Sequence, residues 1–261
     1  MAPMLQGKVA IITGAASGIG AATARLFVEH GAIVIIADVQ DELGQEVVAS
    51  IGPDRSSYVH CNVGDEDQVK STVDHAVEKY GRLDVLFSNA GIGGPLSGIM
   101  DLDLVQFDRA MSVNVRGMVA AVKHAARAMV GEGKTRGGSI ICTASVSAAL
   151  GGAAPHAYTI SKHAVVGVVR SAAAELGKHG IRVNAISPFA LATPLTCTAA
   201  DVPRMEEAYA ATSNLKGVVL RTGHVAQAAL WLASDESAFV SGHDLVVDGG
   251  FTAIKNCFQF Q

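Results

Sequence analysis

The chain has 261 residues, of which 49% are hydrophobic and 17% are charged, and its formal net charge is −4. This composition excludes a disordered chain, because disordered chains cannot bury enough apolar surface to offset their conformational entropy. No block of basic residues is present, which argues against a nucleic-acid partner. The four cysteines lie far apart without a Cys-x-x-Cys pair, which favours a reducing compartment over a disulfide framework.

The start of the chain has neither the cationic residues nor the apolar core of a secretory signal. No apolar run approaches the roughly 18 residues that a membrane span requires. Together with the cysteine pattern, these features predict a cytoplasmic protein without a membrane partner.

Short apolar runs alternate with longer helical patterns along the chain. Strands are predicted at 9–12, 32–37, 57–61, 83–87, 139–143, 181–186 and 244–247. Helices are predicted between them at 19–30, 41–50, 66–80, 103–130, 155–178 and 223–233. Strands this apolar are typical of a parallel sheet that is covered on both faces. The alternation predicts an α/β protein: a single doubly wound domain over 1–261, with a seven-stranded parallel sheet and helices on both faces.

The segment after Pro188 breaks this alternation. No clear element is expected before about Arg221, apart from a short helix near 205–211. A connection this long inside a compact domain is usually a lid or a binding loop. We therefore expect a substrate lid at about 189–220, and a surface insertion without function is the alternative.

A glycine-rich turn joins the first strand to the first helix. Its glycines, Gly14, Gly18 and Gly20, follow the pattern Gly-x-x-x-Gly-x-Gly. They allow a tight turn, close approach of the backbone to a pyrophosphate, and close packing of helix on strand, while the helix N-terminus offers free N–H groups. The position of the turn predicts a dinucleotide site, with a purely structural turn as the alternative.

Asp38 ends the second strand, where an acidic residue can accept hydrogen bonds from the ribose hydroxyls of adenosine. The alternative is an N-cap for the next helix, although Asp41 is the better candidate for that role. Neither 15–17 nor 39–40 contains a lysine or arginine for a 2′-phosphate. The cofactor is therefore predicted to be NAD rather than NADP.

Tyr158 and Lys162 lie four residues apart in a predicted helix, and this spacing places them on one face. An ammonium about 4 Å away would move the pKa of a tyrosine from near 10 toward neutrality, where a general base works best. An ordinary surface pair is the alternative.

Three other polar positions favour a catalytic role for this pair. Ser145 and Asn89 follow the fifth and fourth strands, where the ligand-facing residues of such sheets gather. Asn114 lies in the middle of a predicted helix, which is unfavourable for asparagine. A solvated helix position is the alternative for Asn114.

The ordered set of motifs resembles the classical short-chain dehydrogenase/reductase family from Lys8 to Gly250. The resemblance implies a Rossmann fold and a catalytic tetrad of Asn114, Ser145, Tyr158 and Lys162. It also implies an NAD site in which 62–63 contacts adenine and 188–193 meets the nicotinamide carboxamide. The implied cofactor-binding residues are Gly14, Ser17, Gly18, Ile19, Gly20, Asp38, Asn62, Val63, Asn89, Ala90, Gly91, Tyr158, Lys162, Pro188, Leu191 and Thr193.

The resemblance also implies a role for each member of the tetrad. Tyr158 takes the substrate proton as a phenolate, while Lys162 lowers the pKa of Tyr158 and binds the nicotinamide ribose. Ser145 binds the substrate oxygen, and Asn114 holds a water that links Lys162 to solvent. The sequence departs from the family pattern at Asn62, often Asp, and at Phe189, which follows Pro188 in place of glycine.

Three segments, 87–91, 124–127 and 187–189, resemble a plant subgroup that includes secoisolariciresinol dehydrogenase, borneol dehydrogenases and xanthoxin dehydrogenase. The resemblance implies NAD-dependent oxidation of an apolar cyclic secondary alcohol, a terpenoid such as borneol or a lignan, to the ketone or lactone. The alternatives are a xanthoxin-type dehydrogenase, a terpenoid cyclase or isomerase without net redox chemistry, and a cofactor-binding protein that is not an enzyme. No histidine or cysteine spacing indicates a metal site.

Residues expected to line the substrate pocket are nearly all apolar, and none is charged: Ile92, Gly93, Gly94, Pro95, Leu96, Val146, Ala148, Ala149, Leu150, Gly151, Gly152, Phe189, Ala190, Leu191 and Ala192. The helix at 155–178 is apolar on all sides and is expected to be buried. In the family this helix and its predecessor form a dimer interface, which implies a homotetramer. The tail at 257–261 contains two phenylalanines that would be exposed unless the tail docks.

Overall fold

The structure is a computed structural model that describes residues 3–130 and 137–253. Within these ranges one seven-stranded sheet has the order β3-β2-β1-β4-β5-β6-β7, and every neighbouring pair is parallel. This confirms the predicted doubly wound α/β fold. The strands are β1 (Val9–Thr13), β2 (Ile33–Asp38), β3 (Ser56–His60), β4 (Val85–Ser88), β5 (Gly138–Thr143), β6 (Ile181–Pro188) and β7 (Asp244–Val247).

Helices cover both faces of the sheet, and each face has its own apolar core. One core contains buried side chains of α1, α2 and α8, and the other contains those of α3, α5 and α6. The α-helices in the described ranges are α1 (Gly18–Glu29), α2 (Asp41–Ile51), α3 (Glu66–Tyr80), α4 (Leu104–Met111), α5 (Met118–Val130), α6 (His156–Leu176), α7 (Val202–Thr212) and α8 (Thr222–Ala233). None of the described helices is long and apolar enough to cross a membrane.

The stretch predicted as a helix at 103–130 is helical from Leu104 to Val130, but the π-helical turn Ser112–Gly117, which was not predicted, separates α4 from α5. A π turn widens the helix locally and often lies at a functional site. Gly117 shows why the helix lies so close to the loop after β3: a Cβ at Gly117 would lie 2.6 Å from the carbonyl oxygen of Val63. The turn holds Asn114 fully buried, so this asparagine is not a solvated helix residue.

Within the single chain, the helix predicted at 155–178 is buried on one side only. Val165 and Val169 are buried against the sheet, but Gly167 and Arg170 are exposed. The side chain of Val168 lies in an open groove between α5 and α6. Hydrophobicity alone could not distinguish a helix buried within one chain from a helix that leaves an apolar face open.

The segment between β6 and α8 contains more regular structure than the sequence indicates. A 3-10 turn at Ala199–Asp201 leads into α7, which begins three residues before the predicted short helix. None of the residues of α7 is fully buried. The C-terminal tail at 257–261 lies outside the described residues.

Candidate active site

The glycine-rich turn lies between β1 and α1, as predicted. Gly14 and Gly18 have φ angles of +64° and +54°, which L-residues with a side chain rarely adopt. A Cβ at Gly20 would lie 2.1 Å from the carbonyl oxygen of Gly14, so the packing of α1 on the turn requires glycine there. Thr193 lies across the turn, because a Cβ at Gly18 would be 3.5 Å from the Cβ of Thr193. The turn therefore forms a cradle of backbone atoms with the start of the β6–α8 segment beside it.

The carboxylate of Asp38 is tied to this turn. Its Oδ2 accepts a hydrogen bond from the backbone N–H of Ala16 at 2.9 Å, and its Oδ1 accepts one from the N–H of Gln40 at 3.1 Å. The residue is only 6% exposed. Neither Asp38 nor Asp41 caps α2, since Asp41 is its first residue and accepts hydrogen bonds from Tyr58 and pairs with His60.

Asn62 and Val63 follow β3 and have different surroundings. The Asn62 Oδ1 accepts from the N–H of Gly64 at 3.0 Å, while the Asn62 N–H donates to Gln68 at 2.8 Å. Val63 is buried in the core on the α3 face. The loop is thus held by its own hydrogen bonds and by the core beneath it.

Asn89 joins the ends of three strands. Its Nδ2 donates to the carbonyl oxygens of Thr13 at 3.1 Å and Gly14 at 3.2 Å, and its Oδ1 accepts from the hydroxyl of Thr143 at 3.1 Å. The hydroxyl of Thr13 in turn accepts from the N–H groups of Asn89 and Ala90. The glycine turn is therefore fixed directly to the ends of β4 and β5.

The predicted catalytic side chains meet beyond the end of β5. Lys162 is 2% exposed, and its Nζ donates to the carbonyl oxygen of Thr143 at 2.7 Å. The same nitrogen lies 5.2 Å from the ring centroid of Tyr158. The hydroxyl of Tyr158 shares a hydrogen bond with the side chain of Ser145, whose Oγ also accepts from the N–H of Ser147 at 3.1 Å. The structure thus brings Ser145, Tyr158 and Lys162 together.

Asn114 connects to this group through two neighbouring segments. Its Oδ1 accepts from the N–H of Ile92, and its Nδ2 donates to the carbonyl oxygen of Ile92, both at 2.8 Å. The Nδ2 also donates to the Oγ of Ser161 at 3.0 Å, next to Lys162 in α6. A Cβ at Gly91 would lie 3.2 Å from Asn114 Oδ1 and 3.7 Å from Lys162 Nζ. Asn114 therefore fixes the loop after β4 against α6.

Comparison with known proteins agrees with this geometry. A family model described as Enoyl-(Acyl carrier protein) reductase matches residues 14–252. Short-chain dehydrogenase reductase 3b of Arabidopsis thaliana is 56% identical over 253 residues, covering 96% of this chain and 98% of that protein. The chain is a short-chain dehydrogenase/reductase.

Other relatives place it in the plant subgroup that the motifs indicate. Secoisolariciresinol dehydrogenase of Forsythia intermedia is 52% identical to this chain, and the match covers 99% of this chain and 94% of that protein. A (+)-cis,trans-nepetalactol synthase of Nepeta racemosa is 54% identical to this chain, and the match covers 96% of this chain and 95% of that protein. The crystal structure of levodione reductase matches with a TM-score of 0.87 and 30% identity, over 96% of this chain and all of that one. Membership in the family implies a nicotinamide cofactor and supports an oxidoreductase.

The remaining residues predicted for this dehydrogenase/reductase lie along the same edge of the sheet. Pro188 ends β6, and Leu191 is buried in the core that contains α1 and α8. Ser17 is the N-cap residue of α1, and Ile19 is partly buried in its first turn. The N–H of Thr193 donates to the hydroxyl of Thr196 at 3.0 Å.

Sequence reasoning missed the supporting hydroxyls of Thr13, Thr143 and Ser161. Each binds a residue that the motifs did identify, since Thr13 and Thr143 bind Asn89 and Ser161 binds Asn114. The available signal was weak: a threonine as the last residue of both β1 and β5, at the edge where ligands bind.

The electrostatics of the pair differ from the sequence-based expectation. Burial raises the pKa of Tyr158, and the hydrogen bond with Ser145 lowers it only in part. Burial lowers the pKa of Lys162 to about 8. Sequence reasoning expected the lysine to lower the pKa of the tyrosine; it did not include the desolvation of both groups, which is the larger influence here.

The lowered pKa of Lys162 gives a testable dependence of stability on pH. Below about pH 8 the lysine is charged in both the folded and the unfolded protein. The full free-energy cost of burying the charged ammonium then lowers the stability of the folded state. Between pH 8 and 10.5 the folded protein releases a proton that the unfolded chain keeps, so this cost declines as pH rises. We expect the unfolding free energy of Lys162→Met, relative to the unsubstituted protein, to fall by about 2 kcal/mol from about pH 7 to about pH 9.5.

Denaturant unfolding at the two pH values measures this change. The loss of the donor to Thr143 is present at both pH values, so it does not affect the comparison. Lys178→Met, at an exposed lysine, is the matched control and should show a smaller change. A relative stability of Lys162→Met that is independent of pH would contradict the burial of a charged lysine.

Proposed function

We propose that this enzyme is an NAD-dependent alcohol dehydrogenase that oxidises an apolar cyclic secondary alcohol. A terpenoid such as borneol is the first candidate, and a lignan is the second, with the ketone or lactone as product. The observation that carries the proposal is the group of Ser145, Tyr158 and Lys162 at the carboxyl edge of the sheet, beside apolar side chains. Ser145 and Lys162 are buried, and Tyr158 is partly buried.

The residues of the turn fit a nicotinamide dinucleotide. A Cβ at Gly14 or Gly20 would clash with backbone atoms, and the positive φ of Gly18 disfavours a side chain there. The N-terminus of α1 favours the negative charge of a pyrophosphate. Asp38 would accept hydrogen bonds from the adenosine ribose, and Asn62 and Val63 would contact the adenine. These residues would hold NAD, which would supply the acceptor for the hydride that leaves the alcohol carbon.

Eight further residues complete the proposed cofactor site: Ser17, Ile19, Asn89, Ala90, Gly91, Pro188, Leu191 and Thr193. They lie along the carboxyl edge of the sheet or in the segments that extend from it. Lys162 would hold the ribose next to the nicotinamide through its ammonium group.

The catalytic side chains then act on the alcohol. Tyr158 as a phenolate accepts the hydroxyl proton, while Ser145 donates a hydrogen bond to the substrate oxygen and stabilises the charge that develops there. The ammonium of Lys162, 5.2 Å from the phenol ring, favours the phenolate. Asn114 would hold a water molecule through which the proton passes from Lys162 to the solvent.

The proposed pocket wall is apolar. Val146, Phe189 and Leu191 are each buried, and none of them offers a side-chain hydrogen bond. Leu96 was predicted to belong to this wall, but its side chain is 91% exposed. A charged substrate buried here would lack a partner, and its burial would cost several kcal/mol. The segment 189–220 with α7 is the proposed lid.

The proposal includes a homotetrameric assembly and a cytoplasmic location. The open groove between α5 and α6 contains apolar side chains of both helices, which supports a dimer interface within a homotetramer. The separated cysteines support a cytoplasmic location.

A terpenoid cyclase or isomerase is the second candidate. The 54% identity to the nepetalactol synthase supports it, since that relative is named a synthase rather than a dehydrogenase. The partly buried Tyr158 next to the buried Lys162 favours the dehydrogenase. The formation of reduced nicotinamide from NAD and a panel of alcohols, including xanthoxin, distinguishes the candidates, because a cyclase or isomerase would convert its substrate without that product.

Replacing Tyr158 by phenylalanine tests the general base. The substitution keeps the ring but removes the hydroxyl, so we expect turnover to fall at least ~10²-fold. Binding of NAD, measured by calorimetry, should change little. Tyr80→Phe, far away at the end of α3, is the control and should retain activity. Near-normal turnover by folded Tyr158→Phe would exclude this residue as the base.

Asp38 should set the preference for NAD. A carboxylate near a 2′-phosphate disfavours NADP by about 2–4 kcal/mol after solvent screening, which is roughly 30-fold to 1,000-fold in specificity. Asp38→Asn should lose most of this preference, whereas Asp54→Asn, at an exposed position after α2, should keep it. Steady-state kinetics with both cofactors give the ratio. Equal efficiency of the unsubstituted enzyme with NAD and NADP would show that Asp38 does not face the ribose.

The apolar wall predicts the class of alcohol. Each methylene that the wall accepts contributes ~0.8 kcal/mol, so bulky apolar alcohols should have lower Michaelis constants than small ones. Catalytic efficiency should be higher on borneol-like or lignan alcohols than on hydroxy acids or sugar alcohols, whose polar groups would lose their hydrogen bonds. A preference for hydroxy acids or sugar alcohols would refute the proposed substrate class.

A further inference from the structure

The π-helical turn Ser112–Gly117 contacts the loop after β3 very closely. The guanidinium of Arg116 donates to the carbonyl oxygen of Gly64 at 2.9 Å. A Cβ at Gly117 would lie 2.6 Å from the oxygen and 2.9 Å from the carbonyl carbon of Val63, so no side chain fits between the turn and the loop. Any shift of this loop is therefore transmitted to the turn by direct contact.

A cluster of charges at the start of α3 holds the two segments together. Glu66 accepts from Lys123 at 2.6 Å and pairs with His124 at 3.1 Å and with Arg116 at 3.7 Å. Lys123 and His124 lower the pKa of Glu66 to about 2, so its carboxylate is ionised at neutral pH. Arg116 thus binds both the loop, at Gly64, and the first residue of the helix that follows it.

The other side of the same turn holds the catalytic region. Asn114 makes two hydrogen bonds at 2.8 Å to the backbone of Ile92 and one at 3.0 Å to Ser161. Ser161 precedes Lys162 in α6. One six-residue turn therefore has the loop after β3 on one side and the support of the catalytic lysine on the other.

We propose that Arg116 and Gly117 are positioning residues that couple adenine binding at the loop 62–64 to the catalytic side chains through the π-helical turn. The proposal rests on the proposed function, which puts the adenine against Asn62 and Val63. An adenine that packs on the loop fixes the loop, the turn and the Asn114 amide together. The interaction of Asn114 with Ile92 is then more stable when the adenine is bound.

Adenosine monophosphate (AMP) is the suitable probe, because it has the adenine and its ribose but no nicotinamide. Its binding, measured by calorimetry, should slow hydrogen–deuterium exchange of the Ile92 amide at least ~5-fold in the unsubstituted enzyme. In Arg116→Gln, at saturating AMP, the slowing should be less than about 2-fold, and the affinity for AMP should remain similar. Arg116 is exposed, so the variant is expected to fold.

Two further variants distinguish coupling from a general structural effect. Arg116→Lys keeps a cation that can donate to Gly64 and should restore most of the slowing. Arg109→Gln removes an exposed cation from the preceding helix α4 and should behave as the unsubstituted enzyme. A general loss of helix stability would change exchange in both AMP-free and AMP-bound protein, without changing the ratio between them.

Several results would overturn the proposal. They are equal slowing in Arg116→Gln and the unsubstituted enzyme, no slowing in the unsubstituted enzyme, or failure of AMP to bind. Loss of AMP binding in Arg116→Gln would also overturn the proposal. It would show that Arg116 is needed to bind AMP, and not to couple the binding loop to the catalytic side chains. None of these measurements requires turnover, so a failure of the proposed redox activity, seen as no reduced nicotinamide from any alcohol, is separately recognised.

Discussion

The arrangement of the site depends on the hydrogen bonds that the side-chain amide of Asn89 makes. It binds the last residues of β1 and β5 from the end of β4, so three parallel strands terminate at a fixed distance from one another. The glycine turn begins at one of these strand ends, and the oxygen of Thr143 that binds Lys162 is at another. A parallel sheet brings its carboxyl ends to one edge, but only such a cross-strand contact fixes the turn relative to the lysine.

Burial of Lys162 is the main energetic cost within this arrangement. A fully buried ammonium must replace its hydration shell, and the carbonyl oxygen of Thr143 supplies one strong acceptor at 2.7 Å. The lowered pKa of the lysine and the raised pKa of Tyr158 both follow from exclusion of solvent. In the proposed mechanism the ammonium would favour the phenolate, and the phenolate would relieve the cost of burying the ammonium.

Much of the fold could be predicted from the sequence, because strands buried on both faces have a simple apolar pattern, as Val34–Ala37 illustrates. The ordered motifs supplied the residues of the candidate site, such as Tyr158 and Lys162 one helical turn apart, and the structure brings these two close to Ser145. The π-helical turn could not be predicted, since it changes the helical repeat by one residue and leaves the apolar pattern of 103–130 nearly intact. The exposure of Leu96 depends on the path of its loop, and the hydrophobicity of the residue carries no information on that path.

The proposed apolar wall and the buried ammonium would both follow from one constraint, the exclusion of water from the end of β5. Polar wall residues near Val146 would bring solvent, raise the pKa of Lys162 toward its ordinary value and weaken its effect on Tyr158. The chemistry proposed for the pair therefore favours the same apolar surroundings that favour an apolar alcohol. Substrate class and acid–base strength are linked here, so a change of wall polarity is expected to alter both.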